Sequence, residues 1–274
     1  MLTQFADSAL ALPARSKKPR RSGITSMVDF GPDTFGWTGG ERGIRDLLDV
    51  ASEHIDYAKI YALNALLIPA DVVTRTTQLY RDAGVAPFAG GILFEYAYLK
   101  NEIDALIALV QRLGIPGLEI SENYVSLTQE ERRRTVDRFQ NAGLRVVYEF
   151  GRKNPEEPVS IDYLQEVVTE MATRGINHVT IEQCEIDLLV ESSPDALRLL
   201  ASQPWFEHIV IEVDPYRFPE QHAKIIRDFG PEVNLANVTA GQVLRLEGFR
   251  RGIGRPVNYS LVSGDGSHPA GIRQ

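Results

Sequence analysis

Carboxylates and lysines recur in one place along this chain, at the ends of short apolar runs. Asp29, Lys59, Glu119, Glu149, Glu182, Glu212 and Asn234 each close such a run or sit beside its close, and Glu95 follows another across Gly90-Gly91. Side chains of these types, gathered on one face, can move protons to and from a carbon acid and can hold a hard cation. Any one acidic residue in such a place is equally well read as a solvated loop residue or the partner of a nearby arginine. The recurrence in nearly every unit, with the run bodies apolar, favours a shared site. Packed carboxylates repel one another and burial raises their pKa, so the set needs compensating cations. Lys59, Arg152 and Lys153 supply some positive charge, and a divalent metal would supply more. All-oxygen ligands favour Mg²⁺ over Zn²⁺.

Other chemistries have little to work with. The five histidines, His54, His178, His208, His222 and His268, are dispersed with no H-x-x-x-H spacing, so a histidine-rich metal site is not expected. Cys184 is the only cysteine. It rules out a disulfide framework, and a lone cysteine reads more readily as a small buried residue than as a nucleophile.

The elements that must position the polar ends alternate between strand and helix. The expected strands are 25–29, 57–61, 86–89, 117–121, 145–150, 178–182, 208–213 and 233–237. Helices are expected over 41–52, from near Pro69 to Gly84, over 102–113, from Thr128 to Gly143, from Ser160 to near Gly175, from Ser193-Pro194, over 219–229 and over 240–250. Ile44, Leu47, Leu48 and Ala51 share one helical face, the spacing of an amphipathic helix. Thr128-Gln129-Glu130-Glu131 offers a capping hydroxyl and first-turn carboxylates, which suit a helix N-terminus. Eight such units predict a parallel (β/α)₈ TIM barrel in a single domain, with the polar strand ends converging on one mouth. An open doubly wound sheet is the competing architecture. Its dinucleotide-binding variant needs G-x-G-x-x-G after the first strand, and Phe30-Gly31-Pro32-Asp33 does not supply it. The expected organisation is a partly flexible lead-in over 1–22, the barrel over 23–253 and a C-terminal tail over 254–274.

Over its 274 residues the chain is 43% hydrophobic and carries a net charge of −8, with an isoelectric point near 5.3. No overall basic footprint for nucleic acid exists. The local run Arg15, Lys17, Lys18, Arg20, Arg21 reads as a solvated lead-in rather than a nucleic-acid arm. No apolar run approaches the length of a membrane span. In the faintly signal-like segment 6–14 the positive charges follow the apolar stretch, the wrong order for export. The expectations are a cytoplasmic protein, a small anionic carboxylate as partner, and no contact with nucleic acid or membrane; a homo-oligomer is compatible with the sequence.

Several motifs, in order and spacing, resemble the phosphosulfolactate synthase family. They are Lys18-Pro19-Arg20 with Gly23-Ile24-Thr25 and Asp29, Asp56-Tyr57-Ala58-Lys59, Gly90-Gly91-Ile92-Leu93-Phe94-Glu95 and Leu118-Glu119-Ile120-Ser121. Further on come Glu149-Phe150-Gly151-Arg152-Lys153, Glu182, Glu212, the stretch Phe229 to Asn237, and Leu244-Arg245-Leu246-Glu247. The resemblance spans roughly residues 18 to 253. It implies a TIM barrel that adds sulfite to phosphoenolpyruvate with Mg²⁺ through a metal-stabilised enolate. It also implies site roles: Lys59, Lys153, Glu149 and Glu95 catalytic; Asp29, Ser121, Arg152 and Asn234 substrate-binding; Glu119, Glu149, Glu182 and Glu212 on the metal.

The chain departs from the family pattern where anions would bind. A glycine-rich K-x-G-x-G-T stretch is replaced by Lys59-Ile60-Tyr61-Ala62-Leu63-Asn64. The arginine of E-A-R-E-S-G is missing from Glu182-Gln183-Cys184-Glu185-Ile186-Asp187. E-A-P reads Glu212-Val213-Asp214-Pro215, and G-L-R-G-D reads Gly252-Ile253-Gly254-Arg255-Pro256. Backbone amides approach a phosphate most closely at glycine, so a changed substrate, one without the phosphate, is expected. Two other readings stand beside this one: a non-catalytic binding or stress-related member of the family, and a metal-dependent barrel aldolase with Lys59 or Lys153 as Schiff-base amine. Convergence of Lys59, Lys153 and the carboxylates would favour catalysis. A pocket filled by Tyr61, Leu63 and Tyr124 would favour the binding protein.

Overall fold

The computed structural model describes residues 10–31, 40–193 and 195–263. Most of the Gly31–Gly40 loop, the start of the 6–14 segment, Pro194, His268 and the last part of the tail lie outside the described residues. Eight strands, β1 (Thr25–Asp29), β2 (Tyr57–Ile60), β3 (Ala86–Ala89), β4 (Gly117–Ser121), β5 (Arg145–Phe150), β6 (Val179–Ile181), β7 (Ile209–Glu212) and β8 (Asn234–Thr239), close into a barrel in sequence order. Every pair is parallel, and β8 returns to β1. This is a (β/α)₈ TIM barrel.

Around it run α1 (Gly40–Ala51), α2 (Asn64–Leu67), α3 (Ala70–Asp82), α4 (Gly91–Leu99), α5 (Ile103–Arg112) and α6 (Gln129–Asn141). They are followed by α7 (Ile161–Thr173), α8 (Gln183–Ser192), α9 (Ala196–Ala201), α10 (Glu220–Phe229), α11 (Val243–Arg250) and α12 (Ser260–Ser263). The strands are covered on both faces, which is why β1, β4 and β7 are buried along their whole length. Helix α1 turns Ile44, Leu47, Leu48 and Ala51 to the core. Helix α6 starts on a capping box: Glu131 N–H donates to Thr128 Oγ1 and Thr128 N–H to Glu131 Oε2. None of the helices among the described residues is long and apolar enough to cross a membrane.

Three expectations need correcting. A helix over Gly91–Leu99, not expected, precedes the expected one, which runs over Ile103–Arg112. The last strand begins at Asn234 and runs on to Thr239, past the expected end at 237, so Asn234 opens the strand rather than closing it. Three of the five cations of the basic lead-in are tied down rather than solvated, while Lys17 and Arg21 stay exposed. Arg15 bonds Glu232 at 3.1 Å and Glu247 at 2.8 Å, and Arg20 bonds Asp56 at 3.0 Å. Lys18 donates to the carbonyls of Ser52 and Ile55. Each of these three found a carboxylate or carbonyl at the N-terminal mouth of the barrel, where burial without a partner would be costly.

Candidate active site

Alternation along the strands decides which polar ends face the barrel axis. Lys59 on β2 reaches carboxylates on three other strands. Its Nζ lies 2.9 Å from Glu119 (β4), 2.9 Å from Glu149 (β5) and 3.7 Å from Glu212 (β7). Contacts with β5 and β7 are possible only across the interior. Lys153, just past β5, bonds Glu182 and lies 3.4 Å from Glu212. Glu212 thus touches both lysines. Glu119, Glu149, Glu182 and Glu212 are all buried.

Two glycines make this crowding possible. A Cβ on Gly91 would fall 2.3 Å from Ser121 Oγ. Without it, α4 starts close enough for the Gly91 N–H to donate to Glu119 Oε2 at 2.8 Å. Gly151 has φ of +113°, a backbone that L side chains rarely adopt. A Cβ there would meet Glu185 Cγ at 2.4 Å and Glu182 Cβ at 3.0 Å. The tight passage carries the chain from Glu149 to Lys153, and Glu185 accepts the Arg152 N–H at 2.9 Å.

The electrostatics follow from burial and charge count. Burial alone would lower the pKa of Lys59, but Glu119, Glu149 and Glu212 raise it well above its ordinary value. Burial likewise opposes charge on Lys153, and Glu212, Glu182 and Glu149 outweigh it to raise its pKa. Among the acids, burial pushes Glu119 up to about 7, with the Glu149 charge adding to the push and Lys59 opposing it. Glu149 goes the other way. Burial would raise it, but Lys59, Lys153 and the hydrogen bonds it accepts bring it to about 2. Glu182 is raised, and Glu212 raised well above the carboxylate range, by burial and then by the Glu149 charge. Four carboxylates against two ammonium groups would leave two negative charges in a dry site. Glu149 keeps its charge and the others compete for protons as a coupled set.

One oxygen each from Glu149, Glu182 and Glu212 lies within 4.8 Å of the other two, and the buried Oε2 of Glu212 has no hydrogen-bond partner among the described residues. An all-carboxylate donor set with an unsatisfied buried oxygen and excess negative charge fits a hard divalent cation. Glu119 stands outside this triad, its Oε2 shared between Lys59 and the Gly91 amide.

The remaining candidates separate by location. Asn234 sits at the N-terminal start of β8. It accepts from the Ile24 amide and donates to the carbonyls of Glu207 and Ile209, so it ties strands together at the far mouth and is not a substrate ligand. Asp29 is paired in register with Ile60, one place beyond the Val28–Lys59 pair. Its side chain therefore turns outward, where it accepts from Tyr80 Oη on α3 at 2.8 Å and from the Gly31 amide at 2.9 Å. Glu95 holds the loop after β4 through Ser121 Oγ and the amides of Asn123 and Tyr124; it reaches no lysine. Ser121 spends its hydroxyl on Glu95. Arg152 lies at the rim on Ser126 Oγ. Reading by strand ends alone missed Asn123, which donates to Glu149 Oε1 at 2.9 Å and to the Gly151 carbonyl at 3.1 Å. Its position two residues beyond Ser121 was the available signal.

With this geometry in place, the chain can be set beside known proteins. The family model for (2R)-phospho-3-sulfolactate synthase (ComA) matches residues 13–255. The chain belongs to the phosphosulfolactate synthase family. It is 30% identical to the phosphosulfolactate synthase of Methanocaldococcus jannaschii over 241 residues, 84% of this chain and 92% of that one. With that of Methanothermobacter thermautotrophicus it shares 30% over 250 residues, 88% and 93% of the two chains. Among solved structures, the chitinase ChiC of Aspergillus fumigatus superposes with a TM-score of 0.51 at 13% identity, over 79% of this chain and 90% of that one. That likeness speaks to the barrel alone.

Proposed function

We propose that this family member is a lyase that adds sulfite, or a similar nucleophile, to the methylene carbon of phosphoenolpyruvate or a related small enol carboxylate. The observation that carries the reading is the meeting of Lys59 and Lys153 on Glu212, at 3.7 Å and 3.4 Å, above a floor of buried carboxylates. In such an addition the sulfur lone pair forms the carbon–sulfur bond. The electron pair of the double bond passes toward the substrate carboxylate, and the adjacent carbon then takes a proton. Lys59, buried and held charged, is suited to stabilising the negative charge that develops on the carboxylate. Lys153 is 32% exposed, so it can reach a substrate in the mouth and hand a proton from Nζ to carbon. The two lysines keep Glu149 ionised, and Asn123, itself anchored on the Gly151 carbonyl, holds it in place between them. Glu149, Glu182 and Glu212 would hold Mg²⁺, which when bound would polarise the substrate carboxylate and offset the excess negative charge.

Two alternatives fare worse. A Schiff-base lysine needs a depressed pKa, and both lysines here are pushed the other way by carboxylates. A barrel mouth plugged by aromatic residues would suit a binding protein, but Tyr61 and Tyr124 are exposed at 44% and 67%. Tyr61 instead lies against Phe30, with ring centroids 4.6 Å apart.

Where glycines would cradle a phosphate, this chain has Tyr61-Ala62-Leu63, and Cys184 lies where the family arginine would be. An acceptor without a phosphate dianion is therefore the favoured substrate. The test supplies sulfite with phosphoenolpyruvate and, separately, with phosphate-free enol and 2-keto acids, and identifies products by mass spectrometry. A phosphate-free sulfonate formed faster than phosphosulfolactate is the expected result. Robust turnover of phosphoenolpyruvate would mean that the phosphate site is rebuilt from other residues.

A further inference from the structure

The opposite mouth of the barrel holds a cavity of about 630 Å³, within the range that takes small metabolites. It enters the barrel from the N-terminal ends of the strands, so it is separate from the carboxylate cluster. Its inner wall mixes Phe88 and Val210 with the side chains of Ser26, Tyr57 and Thr180. Ser26 and Thr180 are almost wholly inside, and among the described residues none of these three hydroxyls is engaged in a hydrogen bond within the chain.

The rim carries Arg20, Arg21 and Arg145. Arg20 is committed to Asp56. Arg21 and Arg145 have no carboxylate partner among the described residues. Arg145 is near enough to Tyr57 to oppose the rise that burial gives the phenol pKa. His178 and His208 flank the opening, each with one ring nitrogen on a backbone carbonyl at 2.9 Å, Arg21 O and Asn177 O. Since a carbonyl only accepts, these nitrogens carry the hydrogens, and Nδ1 of His178 and Nε2 of His208 stay free. Glu207 is the one acid on the lining. Two uncommitted guanidinium groups above a cavity of free hydroxyls, in a chain of net charge −8, form a local anion receptor.

We infer that the N-terminal mouth is a second binding site, for a small phosphate monoester. Arg21 and Arg145 take the phosphoryl group at the rim. Ser26, Tyr57 and Thr180 bond the hydroxyls of the organic part, which packs on Phe88.

The test is isothermal titration of the full chain with glycerol 3-phosphate, inorganic phosphate and glycerol, each at matched ionic strength. The expected result is saturable binding of glycerol 3-phosphate, weaker binding of inorganic phosphate and none of glycerol. The double variant Arg21→Gln/Arg145→Gln should weaken the monoester by roughly tenfold or more, as expected for lost charge-assisted hydrogen bonds, while Lys153→Met leaves it unchanged. Both arginines lie at the surface with no ion pair among the described residues, so the double variant should keep its melting temperature. Should it melt early, Ser26→Val, which removes an inner hydroxyl and leaves the rim alone, should likewise weaken the monoester. Absence of saturable binding, equal affinity for inorganic phosphate, or binding lost in Lys153→Met and kept in the arginine variant would each overturn the assignment.

Discussion

At the C-terminal mouth, Glu119, Glu149, Glu182 and Glu212 crowd round Lys59 and Lys153, and the acids outnumber the bases. At the N-terminal mouth the buried cations are Arg15, Arg20 and Arg250, and each has acceptors, though Arg250 Nε finds none among the described residues. Arg15 and Arg20 have carboxylates, while Arg250 donates to the carbonyls of Pro231, Val233 and Ile24. The same strands thus end in a set of buried charges that is largely paired on one side and in an unbalanced set on the other. A charge cluster that solvation and pairing leave unbalanced stores the capacity to move protons or bind a cation. A balanced cluster stores only stability. The division matches the general use of this barrel, with chemistry at the strand C-termini.

The contrast can be broken from either side. The largest effect is expected at the unbalanced face. Lys153→Met should lower turnover by about 10²–10⁴-fold, the usual contribution of a positioned general acid, with little change in melting temperature. A comparable loss of stability would place Lys153 among the structural charges. At the balanced face the reverse should hold. Arg250→Met takes the donor from the Pro231 and Val233 carbonyls, while Ile24 O keeps the Leu235 N–H, and should cost about 3 kcal/mol in chemical denaturation, with turnover of the remaining folded protein unchanged.

His222 sharpens the comparison through pH. It is fully buried, neither ring nitrogen has a hydrogen-bond partner, and burial lowers its pKa to about 4, with Arg250 adding to the shift. Its neutral form is favoured in the folded state. Its contribution is therefore complete above the unfolded value, near 6.5, and is lost as the pH falls toward about 4. The loss amounts to at most about 3 kcal/mol by proton linkage. His222→Leu should flatten the stability profile in that window, and an unchanged slope would exonerate the histidine. The smallest effect concerns the cation. Calorimetric titration of metal-stripped protein should show Mg²⁺ or Mn²⁺ binding that weakens roughly tenfold, about 1.4 kcal/mol, in Glu182→Gln. Binding indifferent to that change would remove Glu182 from the ligand set.

Much of the barrel was legible because strands buried on both faces leave apolar runs, and a polar residue closing each run marks the chemical mouth. That signal located Lys59, Glu119, Glu149, Glu182 and Glu212 on the axis. It could not tell which way a terminal side chain points. Asp29 lies one residue past Val28, and that single step turns it from the axis to Tyr80. Asn234 was grouped with the strand ends although it lies at the start of the 233–237 run, and it is the first residue of β8. Helix α4 was missed because Gly90-Gly91 reads as a loop. Here the absent side chains let a helix begin against Ser121, a contact distant in sequence. The lead-in cations found their partners more than 30 residues away, at Asp56, Glu232 and Glu247, where local composition carries no information.

The central claim is that Lys153 and Lys59, held by the buried carboxylates, perform an addition to an enol carboxylate. Its most direct test supplies sulfite and the acceptor panel to the wild-type chain and to Lys153→Met, with sulfonate products followed by mass spectrometry. The account predicts a product bearing sulfur on the former methylene carbon from the wild type, and its near-complete loss in the folded variant. A wild-type chain that forms no such adduct with any acceptor, or a variant that forms it at the wild-type rate, would contradict it.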